Sequence, residues 1–484
     1  MEPRIEFEGS ALTKLLEDAI GKTLGELDGK DVFRRTETAK KITGIAGDVV
    51  EQSLLGFPSN PSRDPDIIVD GVEVELKTTG LRRARRRTNM SYEAKEPLTI
   101  TAVSPSTITD ETFLTSHFWR KVEHLLLVYY EYTSRTPVPA SAYRDFPVVG
   151  YDLHQFSEEE VRTLRHDWEL IRDHIQSLKE AHVRPEEHYH TLSSALRAKL
   201  MFLDTSPKWP NRPRFRIKRA VLSNIVNKSM GRKYETLPRS ITTMVQFDEE
   251  LARLTRQHGG KTVRELMGTF HLIGSEKSKS LSESIVVRMF GARSTRVGNV
   301  DLFSKLNLVV KSTRLTAKGA NVEDTKLFPV DLVSIGMETS FEESAIYSEM
   351  SEINYLFAIF ETQKGTDRLD DVFVGFKHLI LSDDMFEVEL RRTWQEVHDI
   401  ISERRLRETI KLNKDGTVTY TPRTKVPTTQ VNLPKSEDFT FFLRGSGRDA
   451  SNKPVKINGL SLYRQDLWIR GRTLSQSLND QPYA

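Results

Sequence analysis

Three residues of the stretch DPDIIVDGVEVELKTTG (64–80) have types and spacing suited to one chemistry: Asp66, Glu75 and Lys77. Side chains two apart on a strand point to the same side, so Glu75 and Lys77 share a face. A divalent cation such as Mg2+ takes oxygen ligands and keeps part of its water shell, so two or three carboxylates suffice. Asp66 and Glu75 are therefore candidate metal ligands, with the main-chain carbonyl of Leu76 as another. Lys77 is placed to orient or deprotonate an attacking water and to offset charge at a phosphorus centre. Glu51, on a helix just upstream, supplies a further carboxylate. These parts suit metal-assisted phosphodiester cleavage. A solvated alternating strand would also read VEVELK, so further observations are needed to choose.

Basic residues supply the first of them. The net charge is only +3, but Arg82, Arg83, Arg85, Arg86 and Arg87 follow the candidate strand directly, and KWPNRPRFRIKR (208–219) is nearly as dense. Local cationic density is what grips a polyanion, because phosphate neutralisation acts at short range. Arg82 to Arg87 as a cluster, with Lys208 and Arg214, are the expected DNA contacts. Two aromatic and basic stretches near the end, FFLRGSGRDA (441–450) and GLSLYRQDLWIRGR (459–472), are balanced between a DNA-facing surface and an ordinary basic one.

The second observation is an internal repeat. GKTLGEL (21–27) recurs as GKTVREL (260–266), DVVEQSLLGFPS (48–59) is echoed by SIVVRMFGARS (284–294), VELKTTGL (74–81) by LVVKSTRL (308–315), and LLLVYYEY (125–132) by YLFAIFET (355–362). Common order and smoothly drifting offsets mark two copies of one fold, joined near residues 228–245. Lys77 is matched by Lys311 and Asp66 by Asp301, while Glu75 falls against Val309 and Glu51 against Val286. The second copy lacks two carboxylates, so only the first is expected to be chemically competent.

The elements that must position these groups are readable from periodicity. Helices are expected at 11–24, 45–55 and 157–180, the last opened by a Ser157–Glu160 capping box with Val161, Leu164, Trp168, Ile171, Ile175 and Leu178 on one face. Strands are expected at 66–78, 98–103 and 125–130, the last apolar throughout as a strand covered on both faces should be. The fold class is α/β (α+β). GKT at 21–23 is not a phosphate-binding loop, since the position five before Gly21 is Leu16. His188 and His190 lack a third ligand at suitable spacing, and nothing around His117 requires a proton shuttle.

Length and composition set the outer bounds. A chain of 484 residues is long enough for two cores. Cysteine is absent, which excludes disulfides and thiolate metal sites. No run approaches the ~18 apolar residues of a membrane span, and the acidic, mixed N-terminus does not read as a signal peptide. A cytoplasmic protein is expected.

DPDIIVDGVEVELKTT, IAGDVVEQ (45–52), SHFWRKVEHLLLV (116–128) and FRIKRAVLS (215–223) together resemble the PD-(D/E)xK nucleases, and among them the MutH branch. The two-copy arrangement resembles its Sau-type restriction endonucleases. That resemblance implies two tandem MutH-like folds, each a mixed central sheet flanked by helices, with a catalytic domain over 1–230 and a DNA-binding or allosteric domain lacking the catalytic carboxylates over 231–484. It implies Mg2+, double-stranded DNA cut at GATC, and a DNA-induced homodimer or loop. Asp66, Glu75, Lys77 and Glu51 carry over as catalytic residues. Asp64 and Asp70 compete for the aspartate role, because the spacing to Glu75 is longer than the family's. Lys121, or by another alignment Glu123, corresponds to an additional family lysine, and Lys121 is grouped with the DNA contacts, as is Lys218 of the FRIKRAVLS segment, which resembles a family segment that approaches DNA. Two other readings share these residues: a strand-nicking repair endonuclease, and a DNA-binding protein with no working site.

Overall fold

A computed structural model describes residues 4–484 apart from 39–41, 43, 58–63, 85–91, 135, 207–211, 274–279, 316–322, 363–366, 414, 421–424 and 448–452. The chain packs into two units. The first comprises Met1–Ser134, Val138–Gln257 and Leu266–Val310, and the second Arg135–Pro137, His258–Glu265 and Lys311–Ala484.

The first unit is built on a mixed sheet of β1 (Glu6–Phe7), β2 (Ile67–Val69), β3 (Val72–Arg83), β4 (Tyr92–Ala94), β6 (Leu125–Glu131) and β7 (Val148–His154). The order is β1-β2-β3-β6-β7, with β4 pairing the far end of β3. A separate small sheet joins β5 (Leu98–Ala102), β8 (Leu203–Ser206) and β9 (Arg214–Ile217). β3 runs parallel to β6, with Glu75 across from Leu125 and Lys77 across from Leu127. Residues 125–130 are all buried, as their unbroken apolar run requires.

The expected single strand over 66–78 is a correction: it is a hairpin. β2 and β3 are antiparallel, Val69 pairs with Val72, and the two loop residues are Asp70 (φ 48) and Gly71 (φ 80). Asp-Gly is the sequence that a type I′ turn prefers, because both positions need positive φ. Pairing Ile67 with Val74 places Asp66, one step beyond, opposite Glu75. The turn therefore accounts for the nine-residue spacing.

Helix α1 (Gly9–Ala19) and α2 (Ile45–Val49) cover one face of this sheet, where Leu12, Leu16, Val49, Val50, Val74, Leu76, Leu126 and Val128 form a continuous core. The helix expected over 11–24 stops earlier, and Leu24–Leu27 form a separate turn. α2 continues as a π-helical turn over Val50–Leu54. α3 (His117–Val122) leads into β6, and α4 (Glu158–Ala181) is the expected capped amphipathic helix, burying Leu164, Trp168, Ile171 and Ile175. α5 (Arg219–Ser229) follows β9.

The repeat is visible in backbone hydrogen bonds. In the first unit the GKT turn docks on β7: Gly21 N donates to Val148 O (2.8 Å), Val148 N to Lys22 O (2.9 Å) and Leu24 N to Phe146 O (2.9 Å). In the second unit Gly260 N donates to Phe373 O (2.9 Å), Phe373 N to Lys261 O (2.9 Å) and Val263 N to Asp371 O (3.0 Å). Thr23 and Glu26 form a capping box, and Thr262 and Glu265 exchange the same bonds. The paired strands Asn354–Glu361 and Val372–His378 carry an irregularity at Ile359/Phe360, as β6 and β7 do at Tyr129/Tyr130. Leu308–Leu315 joins them in a three-stranded sheet.

The packing division does not coincide with the repeat boundary. The GKT turn at 260–262 belongs with the strand it bonds, in the second unit. The helix Asp301–Lys305 belongs with the first, where buried Lys305 bonds Glu160 (2.5 Å) and Asp301 (2.6 Å), and Lys228 bonds Asp301 (2.7 Å). Asp301 thus opens a helix inside an ion-pair network, whereas Asp66 precedes a hairpin strand. The sequence match between them is not a match of position or role.

Candidate active site

Glu75 is the centre of the site. Its residue exposure is 1%, and a carboxylate so buried is tolerable only when paired. Lys121 Nζ lies 2.9 Å from both Oε1 and Oε2, and Lys77 Nζ also donates to Oε1. Sheet geometry brings these groups together. Glu75 N donates to His124 O, so the start of β6 is fixed beside Glu75, and α3 ends one turn earlier with Lys121 facing inward. Val74 and Leu76, on the opposite face, anchor β3 in the core.

Asp66 stands opposite Glu75, and its Oδ2 accepts from Leu76 N at 3.0 Å. Burial, then the charge of Glu75, pushes its pKa up to about 6, with Lys77 and Lys121 opposing. Burial, then the charges of Asp66 and Asp48, pushes Glu51 up to about 7. Glu51 lies in the π-helical turn, a backbone form that occurs often at functional sites. Glu51, Asp66 and Glu75 therefore share one field, in which the charge of Glu75 opposes ionisation of both Asp66 and Glu51.

The competing aspartates are engaged elsewhere. Asp70 Oδ1 accepts from Gly9 N at the start of α1 (2.9 Å), and Asp64 pairs with Arg4 and Arg120. Glu123 is exposed, so Lys121 is the member of the α3 segment that reaches the site. Among the described residues no three His, Cys, Asp or Glu side chains meet closely enough to form a metal-binding group by themselves. The donor set nevertheless fits a hard divalent cation. It offers oxygen donors only, and it crowds buried carboxylates whose ionisation a cation would relieve. The Glu75 oxygens are shared with two ammonium groups, so a cation would have to compete with them for that carboxylate.

The expected DNA contacts divide. Arg214 is exposed on β9. Arg82 lies over the Tyr132 ring (5.1 Å), with Lys95 also over it (4.7 Å), and Arg83 bonds Glu131 (2.8 Å). Lys121 serves Glu75. Lys218 is buried, and its Nζ donates to Leu200 O (2.6 Å) rather than facing solvent. Arg85, Arg86, Arg87 and Lys208 lie outside the described residues. His117 Nδ1 lies 2.8 Å from Glu111 Oε1, away from these groups.

In the second copy, Val286 is buried and Val309 sits in the strand Leu308–Leu315, so neither counterpart carries a carboxylate. Lys311 Nζ donates to Lys326 O (2.9 Å). Among the described residues no helix is long and apolar enough to cross a membrane.

Two comparisons bear on this arrangement. The family described as the DNA mismatch repair enzyme MutH matches residues 55–167, a span that holds Asp66, Glu75, Lys77 and Lys121. The Type II restriction enzyme Sau3AI of Staphylococcus aureus is 22% identical over 504 aligned residues, covering 96% of this chain and 96% of that protein. The resemblance to the MutH/Sau-type nuclease family, read first from the residues around Asp66 and Glu75, thus extends along nearly the whole chain.

Proposed function

We propose that this protein is a type II restriction endonuclease that hydrolyses double-stranded DNA at a short specific site, GATC by family resemblance, with Mg2+ as cofactor. The observation that carries the reading is the buried Glu75 opposite Asp66, with Lys77 on the same face, in a chain similar end to end to a restriction enzyme. Asp66, Glu75 and the Leu76 carbonyl would hold the cation, which would supply positive charge at the scissile phosphate and acidify a bound water. Lys77 orients the attacking water and offsets the charge that builds at the phosphorus centre. Glu51, raised to about 7, is poised to exchange a proton near neutral pH. Lys121, on both oxygens of Glu75, keeps that carboxylate aimed. Arg82, Arg83, Arg85, Arg86, Arg87, Lys208 and Arg214 are assigned to the phosphate backbone and groove. Lys218 was grouped with them from sequence, and its inward ammonium leaves it a structural role.

The region 231–484 lacks the counterparts of Glu51 and Glu75 and is assigned to binding a second copy of the target as effector, through a DNA-induced dimer or loop. Each chain has one competent site, and a duplex break needs two cuts. The enzyme is placed in the cytoplasm. A second reading, a strand-nicking repair endonuclease, is favoured by the name of the family that matches 55–167.

The test is incubation of purified protein with supercoiled unmethylated plasmid and Mg2+, beside a Glu75→Ala control, followed by sequencing of the ends. Discrete linear fragments that vanish in the variant support the proposal. Open circles alone favour nicking, and an intact but gel-shifted plasmid sinks both.

A further inference from the structure

Next to the site, four side chains close a ring of alternating charge. Arg120 Nη1 lies 3.1 Å from Asp64 Oδ1 and its Nη2 lies 3.3 Å from Glu73 Oε2; Arg4 Nη2 lies 3.4 Å from Asp64 Oδ2, and its Nη1 bonds Glu73 Oε1. No member is in the core, since side-chain exposures run from 24% to 44%. As stabilising contacts such half-exposed pairs contribute little. Their placement is the informative feature.

Every member is tied by the backbone to a site group. Asp64 is joined to Asp66 through buried Pro65, whose fixed φ passes displacement along the chain. Glu73 is two residues before Glu75 on β3, and Arg120 directly precedes Lys121 on α3. Arg4 lies just before β1, whose parallel pairing of Glu6 with Ile68 sets Arg4 level with Asp66. Asp66 itself stands just outside the paired residues of β2, and among the described residues its carboxylate accepts one hydrogen bond, from Leu76 N.

We propose that the Arg4–Asp64–Arg120–Glu73 ring is a positioning clamp that holds the Asp66 carboxylate against Glu75, with Arg120 as its keystone because it alone ties α3 to both carboxylates. The idea rests on the metal-dependent nuclease reading for its effect on cleavage, but not for its effect on cation binding. Arginine suits the task because its planar fork addresses two acceptors at once, whereas lysine offers one compact charge. Groups that orient metal ligands typically change affinity or activity by about 10–100-fold when lost.

The experiment compares wild type with Arg120→Gln and Arg120→Lys. Mn2+ binding to the DNA-free protein is followed by EPR of the free ion, and melting temperature and plasmid-cleavage kinetics are measured on the same samples. The clamp requires both variants to bind Mn2+ about tenfold more weakly and to lose kcat with KM little changed. High salt should weaken wild-type Mn2+ binding toward the variants' level, because a half-exposed ring is screened. Restoration by lysine, or a change in KM and in the salt dependence of DNA binding alone, would show that Arg120 acts as a phosphate contact and would overturn the clamp. A fall in melting temperature with unchanged Mn2+ affinity would reduce the ring to a structural feature. If wild type binds Mn2+ but cuts nothing, the nuclease reading fails while the Mn2+ comparison still judges the clamp.

Discussion

Lys121 Nζ stands 2.9 Å from both carboxylate oxygens of Glu75, although 46 residues separate them in the chain. With Lys77 on the same carboxylate, one buried negative charge is held by two positive ones.

Breaking that pair on one side should be costly. Lys121→Met is expected to destabilise the metal-free protein by about 3–5 kcal/mol, the usual cost of leaving a buried charge short of its partner. Adding Glu75→Gln should recover part of that loss, since the stranded charge is then gone. Urea unfolding of the two single variants and the double variant measures the coupling, and simple additivity would contradict the pairing.

The acid cluster gives a definite sign to pH dependence. Asp66 and Glu51 have folded pKa values near 6 and 7, above their unfolded values near 4. The native state then binds more protons than the unfolded state in that window, so metal-free stability should fall as pH rises from about 4 to 7. After allowance for partial solvent access, the fall should be on the order of 1–3 kcal/mol. Mg2+ should reverse it and release protons on binding. Calorimetry at pH 6.5 in two buffers of different ionisation enthalpy reads the release directly; a buffer-independent heat would be the wrong outcome.

Glu160 predicts the opposite slope at lower pH. Burial alone would raise its pKa, but the charge and hydrogen bond of Lys305, with the bonds from Ser157, hold it down to about 2. A depressed folded value contributes stability that is present above about 4.5 and lost as pH falls through about 2, up to about 3 kcal/mol. Glu160→Gln should flatten that acid limb without altering the limb between pH 4 and 7. Thermal melts across pH 2–5 are the check.

The hairpin turn sets the site's register. Gly71 has φ 80, so Gly71→Val should cost about 1–2 kcal/mol in backbone strain. Inserting one residue after Gly71 should harm both folding and function. A shift of β2 against β3 by one position takes Asp66 away from Glu75 and turns Ile67 and Val69 out of the core. Cleavage and Mn2+ binding should be lost and the melting temperature should fall.

How much of this was legible in the chain differs from residue to residue. The Asp66, Glu75, Lys77 trio, the capped helix over Glu158–Ala181 and the doubled GKT turn all stood in local spacing. The Asp70-Gly71 turn was also written there, as a dipeptide that favours positive φ at both positions, yet residues 66–78 read as one strand because apolar residues continue through it. Lys218 reads as a DNA contact from the family-like FRIKRAVLS segment and its basic surroundings; in the fold it is buried and its ammonium donates to Leu200 O. Asp301 looked like a copy of Asp66 by alignment, but Lys305 and Lys228 claim it.

Sequence alone thus determined the chemistry on offer. Residue types, period-two alternation and repeated capping boxes are local properties, and each was visible without any long-range contact. Tertiary structure decided which groups act together. The pairing of Lys121 with Glu75, the closure of the Arg4–Asp64–Arg120–Glu73 ring and the raised pKa values of Asp66 and Glu51 depend on burial and on strands brought side by side. Charge interactions strengthen steeply once water is excluded, and only the folded chain sets where that happens.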